Sequence, residues 1–412
     1  MLHPTSIRGS LNGVNRCQET DGESEEYLMT LRVLISAGEV SGDQHLGRVV
    51  QAIKARMPEA EVRGMGGKEC REAGADLVVD CYKSGAAMGF SELLRSAGSI
   101  LGSFRCLSSL IKSWRPQVVI LVDYPDFNLR LARVAKKAGC KVLYYIPPKV
   151  WAWRTGRVEK IKRYVDRIAA IFPFERDFYE RHGYQSVTYV GHPLADQNSS
   201  LVSEVQRNES VLFLPGSRKF EVERLLPPML RAFERVRSVK PQLRGTVLLA
   251  SNMSEEFAKQ IAITAVKPET FAAIDWSNGT PLLEMQRARV AALKSGTCNL
   301  EGALAELPFV SVYSGSRLSK VIVWTFVALK EYSPVNIIKP GAVRELMHVK
   351  LDDAELAREL LAIYDDGPVR DRMLTDLKYV RTALIEHDAE RSVEGATVSE
   401  RVAQMVFNMA EL

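Results

Sequence analysis

Residues Val211 to Pro228 read VLFLPGSRKFEVERLLPP. Four apolar residues, Val211 to Leu214, predict a buried strand; a Pro-Gly-Ser-Arg turn follows, then a helix whose charges alternate with Val222, Leu225 and Leu226. This is a phosphate-binding layout. Gly216 lets backbone approach a ligand, Ser217 is expected to cap the helix, free N–H groups at its start favour an anion, and Arg218 can clasp oxygens bidentately. An ordinary strand-to-helix turn has the same pattern, so the rest of the chain must decide.

At 412 residues with 46% hydrophobic and 25% charged residues, the chain fits a two-domain α/β protein. A net charge of +5 argues against a dedicated nucleic-acid binder and leaves room for a basic patch facing anionic lipid. The six cysteines lack C-x-x-C spacing and metal-ligand partners, which predicts reduced thiols and a cytoplasmic setting. No apolar run reaches bilayer-spanning length, so membrane contact is expected to be peripheral. Residues 1–29, polar and then acidic, are read as a mobile extension, with Met29 as an alternative start.

Strand and helix patterns alternate from Leu31 onward. The strand Leu31 to Ser36 runs into Gly38-Glu39-Val40-Ser41-Gly42-Asp43, a glycine turn where doubly wound folds bind ligands, although it lacks the G-x-G-x-x-G spacing. Glu39 and Asp43 are helix-start charges or carboxylates that handle a hydroxyl. Strands are also expected near Glu61 to Arg63 and Leu77 to Asp80. From Met88 to Lys112, apolar residues including Phe90, Leu94 and Leu101 recur at helical spacing; this face packs on the sheet or dips into a membrane interface.

The apolar strand Gln117 to Val122 ends in Asp123-Tyr124-Pro125-Asp126-Phe127-Asn128. Asp126 is assigned to capping the next helix, which leaves Asp123 as the candidate general base. After the strand Lys141 to Ile146, Trp151 and Trp153 beside arginines form a sugar or acyl platform or fill an interdomain seam. His192, before a proline, reads as a hinge residue with a polar contact or as a substrate-facing group. Residues 196–209 are polar and suggest a linker.

The second half repeats the alternation. Strands are expected at Thr246 to Ala250, Phe271 to Ile274, Val290 to Leu293 and Phe309 to Tyr313. After Val290 to Leu293 come Ser295, Gly296 and Thr297 at a helix start, a second set of donors for a diphosphate, with Glu301 one turn on, placed to accept from ribose hydroxyls. With Gly216 to Arg218, this describes a nucleotide diphosphate held in one Rossmann-like domain. A helix from Leu318 to Leu329 is core or interfacial, and helices from Asp353 close the chain.

Seven ordered motifs then carry a resemblance: A-G-E-V-S-G-D at 37–43, M-G-F-S-E-L-L at 88–94, D-Y-P-D-F-N at 123–128, V-W-A-W-R at 150–154, G-H-P-L-A-D at 191–196, L-P-G-S-R at 214–218 and S-G-T-C-N-L-E at 295–301. The chain resembles the lipid A disaccharide synthases of Gram-negative bacteria. The resemblance implies a GT-B fold, two Rossmann-like domains with parallel sheets facing across a cleft. It also implies inverting hexosyl transfer from UDP-2,3-diacylglucosamine to the 6-hydroxyl of 2,3-diacylglucosamine 1-phosphate, with UDP released. Asp123 and Arg218 match residues needed for activity, and Asn336 matches a donor-side asparagine. The chain departs from the family pattern at Ser333 to Gly341, and Lys149 stands in the P-S-V-W motif.

On this reading the extension 1–29 precedes an acceptor and membrane-facing domain at 30–196 and a UDP-sugar-binding domain at 197–385. A C-terminal helix at 386–412 is expected to cross back or to mediate dimer contacts, and a homodimer is entertained. Asp123 is the base, with Asp43 as rival. Arg218, Ser295, Thr297 and the helix starts stabilise the leaving group; Gly216, Ser217, Gly296, Glu301 and Asn336 complete the donor site. Glu39, Met88, Phe90, Leu94, Trp151 and Trp153 face the acceptor or the membrane. No cofactor is expected, and the absence of a D-x-D sequence means no metal is required by the visible pattern. The expected location is cytoplasmic, peripheral on the inner membrane and in contact with anionic lipid. Two rivals are another GT-B UDP-sugar enzyme, such as a UDP-N-acetylglucosamine 2-epimerase, and a noncatalytic nucleotide-responsive membrane-binding protein.

Overall fold

Thirteen strands form two parallel sheets among the described residues. The first contains β1 (Arg32–Ala37), β2 (Glu61–Gly66), β3 (Asp76–Asp80), β4 (Val118–Val122), β5 (Lys141–Tyr145), β6 (Arg167–Ala170) and β7 (Val187–Tyr189), in the order β3-β2-β1-β4-β5-β6-β7. The second contains β8 (Ser210–Leu214), β9 (Arg244–Leu248), β10 (Ile274–Ser277), β11 (Val290–Lys294), β12 (Phe309–Ser314) and β13 (Arg344–His348), in the order β10-β9-β8-β11-β12-β13. This computed structural model describes residues 30–81, 90–151, 155–196, 207–314, 331–348, 350–386 and 397–411, without the side chains of 90–97, 314 and 348. The extension 1–29, Met88, Trp153, most of the linker and the helix expected at Leu318 to Leu329 lie outside the described residues, as do the side chains of Phe90 and Leu94.

The apolar runs become central strands because parallel sheets are covered on both faces. In β4 the pattern splits by parity: Val118, Ile120 and Val122 join one core with Leu46 and Val49, while Val119 and Leu121 join the other with Leu107, Ile111 and Leu131. The helix Lys219–Val239 buries Val222, Leu225 and Leu226 as its spacing predicts, and it continues through Pro227 and Pro228. The carbonyls those prolines leave without helical donors belong to Glu223 and Arg224, which are exposed and can be hydrated.

Several boundaries differ from expectation. The strand expected near Glu61 to Arg63 runs on through Gly66, and Phe271 closes a short helix before β10 begins. The edge strand β13 has no counterpart in the sequence reading. Its Arg344, Glu345 and His348 break the apolar run that marks central strands.

Chain crossings tie the halves together. His192 N–H donates to the Leu384 carbonyl (3.1 Å) and the Tyr189 hydroxyl to Ala383 (2.5 Å), where the helix Pro368–Ile385 ends. The last helix, Val398–Ala410, packs on Val40–Arg56 of the first half. Its Arg401 donates to the Val190 carbonyl at 2.8 Å, and Asp196 accepts from Val398 N–H at 2.8 Å.

The topology places the motif loops. Strand order reverses between β1 and β4 in one sheet and between β8 and β11 in the other, and ligands of open α/β sheets bind at such switch points, beyond the strands' carboxyl ends. The turns after these four strands are Gly38-Glu39, Asp123-Tyr124, Pro215 to Arg218 and Ser295 to Thr297. At the first crevice Gly38 is sterically required, because a Cβ there would stand 2.4 Å from the Tyr124 ring. Gly38→Ala is expected to destabilise the fold by about 1–3 kcal/mol in urea titration, the usual range for overpacking. Tyr124→Ala in the same chain should recover part of that loss; no recovery would mean the ring is not the obstacle.

Candidate active site at the two switch points

Asp123 is held in an unusual backbone state. It and Tyr124 both have positive φ, 44° and 47°. The fully buried Asn128 fixes this corner: its amide N–H donates to the carbonyls of Asp123 (2.8 Å) and Val122 (3.0 Å), and its oxygen accepts from the Ser36 hydroxyl of β1 (2.7 Å). Tyr144 on β5 donates its hydroxyl to the Asp123 carbonyl at 2.7 Å. Cβ-bearing residues disfavour this region, so these hydrogen bonds are what hold the backbone there.

Burial pushes the Asp123 carboxyl above its ordinary range, while the charge of Lys149 and the Tyr124 backbone N–H pull it back. Glu39, at the end of β1, is raised by burial first and by Asp123 second; the Arg218 charge lowers it. Glu39 and Asp123 from the first sheet and Arg218 from the second therefore share one electrostatic environment.

Three assignments change here. Asp43 is fully buried and accepts N–H bonds from Gly67 (2.6 Å), Glu69 (3.0 Å) and Cys70 (3.2 Å); its carboxylate closes the start of the helix Lys68–Glu72 and is not a base. Asp126 does not cap its helix, which begins at Pro125 with Tyr124 as the cap residue; Asp126 instead pairs with Arg157 at 2.5 Å. Trp151 is no open platform. Its indole donates to Glu175 (3.1 Å) and its ring packs edge-on against Phe174. Burial raises Glu175 to about 7 against that bond and two backbone N–H donors. His192 is buried and lowered to about 3, and its Nδ1 accepts from Leu194 N–H.

On the second sheet, Gly216, Ser217, Gly296, Thr297 and Glu301 line one cavity of about 350 Å³ with Leu248, Pro281 and Lys294. Glu221 was not foreseen. Its carboxylate, only 8% exposed, accepts from the N–H groups of Ser217 (3.1 Å) and Arg218 (3.3 Å) and pairs with Lys294 (3.0 Å). The expected anion nest of the first turn is thus already filled from within, and Arg218, not Ser217, occupies the cap position. Gly216 must lack a side chain, since its φ is 120° and a Cβ would meet Glu221 Oε2 at 2.5 Å.

In the second turn, Asn299 accepts from Gly296 N–H (2.8 Å) and Ser295 N–H donates to Val312 (2.8 Å). The N–H groups of Thr297 and Cys298, in the first turn of Thr297–Leu304, find no acceptor among the described residues. The Glu301 carboxylate is raised by burial and takes no hydrogen bond from any described residue. Ser295 and Arg218 do not line the cavity. Arg218 is 58% exposed and lies 3.8 Å from Glu221, a loose tether for its guanidinium.

Asn336 lies elsewhere. Its amide is buried and spent on Val343 (2.9 Å both ways) and Glu345 (2.7 Å), in a separate cavity of about 760 Å³ beside β13. Those bonds shape the 331–345 segment, and Asn336 does not line the cavity of Gly216 and Thr297. Among the described residues, no group of three or more His, Cys, Asp or Glu is placed to hold a metal, and no helix is long and apolar enough to cross a membrane.

Comparison with known proteins agrees with this architecture. The S. aureus MnaA–UDP co-structure superposes with a TM-score of 0.60 at 11% identity, over 93% of this chain and 98% of that one. CalG4, the calicheamicin glycosyltransferase, gives 0.58 at 13% identity over 93% and 99%. At such identities the likeness establishes the GT-B fold alone. Sequence relatives go further. The lipid-A-disaccharide synthase of Trichlorobacter lovleyi is 36% identical over 89% of this chain and 97% of its own, and that of Coxiella burnetii 33% over 88% and 96%. The model of the lipid-A-disaccharide synthetase family matches residues 33–392. This chain belongs to the lipid-A-disaccharide synthetase family.

Proposed function

We propose that the chain transfers 2,3-diacylglucosamine from UDP to the 6-hydroxyl of 2,3-diacylglucosamine 1-phosphate, with inversion at the anomeric carbon. Asp123 takes the hydroxyl proton as that oxygen attacks. UDP leaves from the opposite face, its diphosphate at the Thr297 helix start, its ribose on Glu301 and its developing charge met by Arg218. The observation that carries this reading is the placement of both motif sets at the switch points of the two sheets, with Glu39 close enough to Asp123 and to Arg218 to feel both charges. The test is UDP release that depends on both the UDP-sugar and the acylated acceptor. Release without acceptor would indicate a different UDP-sugar enzyme.

A base works only when ionised. With Asp123 raised by burial, kcat/KM should fall as pH drops through a value above the ordinary carboxylate range. Lys149 favours the charged form, so Lys149→Met is expected to move this acid limb to higher pH; a limb that stays put or moves down would refute the coupling.

Acylated substrates are met at a membrane surface. Support for peripheral contact on the cytoplasmic face comes from the helix Phe90–Trp114, where Leu101 is 49% exposed, and from the cations Lys112, Arg130, Arg133 and Lys137 that border a neighbouring cavity floored by Phe104 and Val134. Lys112→Ser with Lys137→Ser should weaken flotation with anionic vesicles by about 1 kcal/mol for each charge. Neutral vesicles serve as the control.

A further inference from the structure

A groove of about 610 Å³ lies between the helices Pro125–Lys137 and Val158–Tyr164, outside both switch-point crevices. Six cations line it against two carboxylates, Asp126 and Glu159. Those carboxylates are engaged, by Arg157 at 2.5 Å and by Lys162 at 2.9 Å. Arg130, Arg133, Lys160 and Arg163 then remain with no carboxylate partner among the described residues. Four uncompensated cations in one concave surface carry a repulsion that a bound dianion relieves, and arginine forks suit phosphate oxygens.

The groove begins at the catalytic corner. Pro125 and Asp126, at its upper end, directly follow Asp123 and Tyr124, and Asp126 is at most about 11 Å of backbone from Asp123. A hexose whose 6-hydroxyl sits at Asp123 carries its anomeric substituent on C1, across the ring oxygen from the C5 that bears the hydroxymethyl group, within the span that separates Asp123 from the upper end of the groove. The donor's diphosphate is already accommodated at the second sheet. We propose that the upper end of this groove, with Arg130 and Lys160, is the subsite for the phosphate monoester of the acceptor. This rests on the transferase reading above. The subsite makes the anomeric phosphate a recognition element rather than a bystander, and it separates the acceptor from its dephosphorylated counterpart.

The test uses the full chain carrying Arg130→Ser with Lys160→Ser, after a thermal melt shows wild-type folding. The ratio of kcat/KM for the phosphorylated acceptor to that for the same acceptor without phosphate is expected to fall about 10- to 100-fold, as loss of charge-assisted hydrogen bonds implies. An unchanged ratio overturns the proposal, whatever happens to either rate alone. If the ratio holds while flotation with anionic vesicles declines, the groove serves lipid headgroups instead. Should the wild type release no UDP, the transferase reading fails by itself, and calorimetry with glucosamine 1-phosphate against glucosamine still decides the subsite. Tighter binding of the phosphate by wild type than by the variant supports it; equal binding overturns it.

Discussion

Asp123→Asn should lower kcat by about 10²–10⁴-fold, the span general-base catalysis contributes, while KM for the UDP-sugar stays within a few-fold of wild type. The substitution is close to isosteric, and the corner is fixed through the Asp123 carbonyl by Asn128 and Tyr144 rather than through its carboxylate. The geometry should therefore persist while the proton acceptor is lost. Steady-state kinetics with acceptor in excess makes the check. Near-normal turnover with unchanged substrate affinity would leave Glu39, raised by burial in the same crevice, as the group to examine next.

Removal of the Arg218 guanidinium carries the second large effect. Arg218→Ala is expected to cost about 10²–10³-fold in kcat, comparable with the loss of one preorganised donor to a developing anion. Arg218→Lys should restore little, because an ammonium offers a point charge where the guanidinium offers a fork. The structural cost should be small. Arg218 is exposed, and Glu221 keeps Lys294 as a partner and keeps its backbone donors when the guanidinium is gone. A variant that melts much earlier than wild type would show that the 3.8 Å contact with Glu221 matters to folding more than to the leaving group.

Much of this was legible in the sequence because parallel sheets write themselves in apolar runs, and the turns that follow such runs are where ligands bind. The four switch-point turns could be found without coordinates. What stayed hidden was the internal satisfaction of those turns. Glu221 and Asn299 each stand three residues past a cap position, where a polar side chain reads as solvated surface; the pattern of a cap residue followed three positions later by an acid or amide was the available signal. Asp43 misled for the converse reason. A carboxylate in a glycine turn looks free until the chain some 24 residues later brings Gly67 and its neighbours to it. Asn128 was visible within D-Y-P-D-F-N but carried no assigned role, since its partners lie on β1 and β4 and local spacing cannot announce them.

The helix Val398–Ala410 has a consequence for biosynthesis. It packs on the helix Val40–Arg56, whose Leu46, Val49, Val50 and Ile53 share one core with Val398, Val402 and Val406, so the first sheet's outer layer is supplied by residues translated after the second sheet. Domains usually fold in the order they leave the ribosome. Here the half that is made first cannot finish until the half made second is complete, and a nascent chain halted before Val398 presents a bare apolar flank to chaperones.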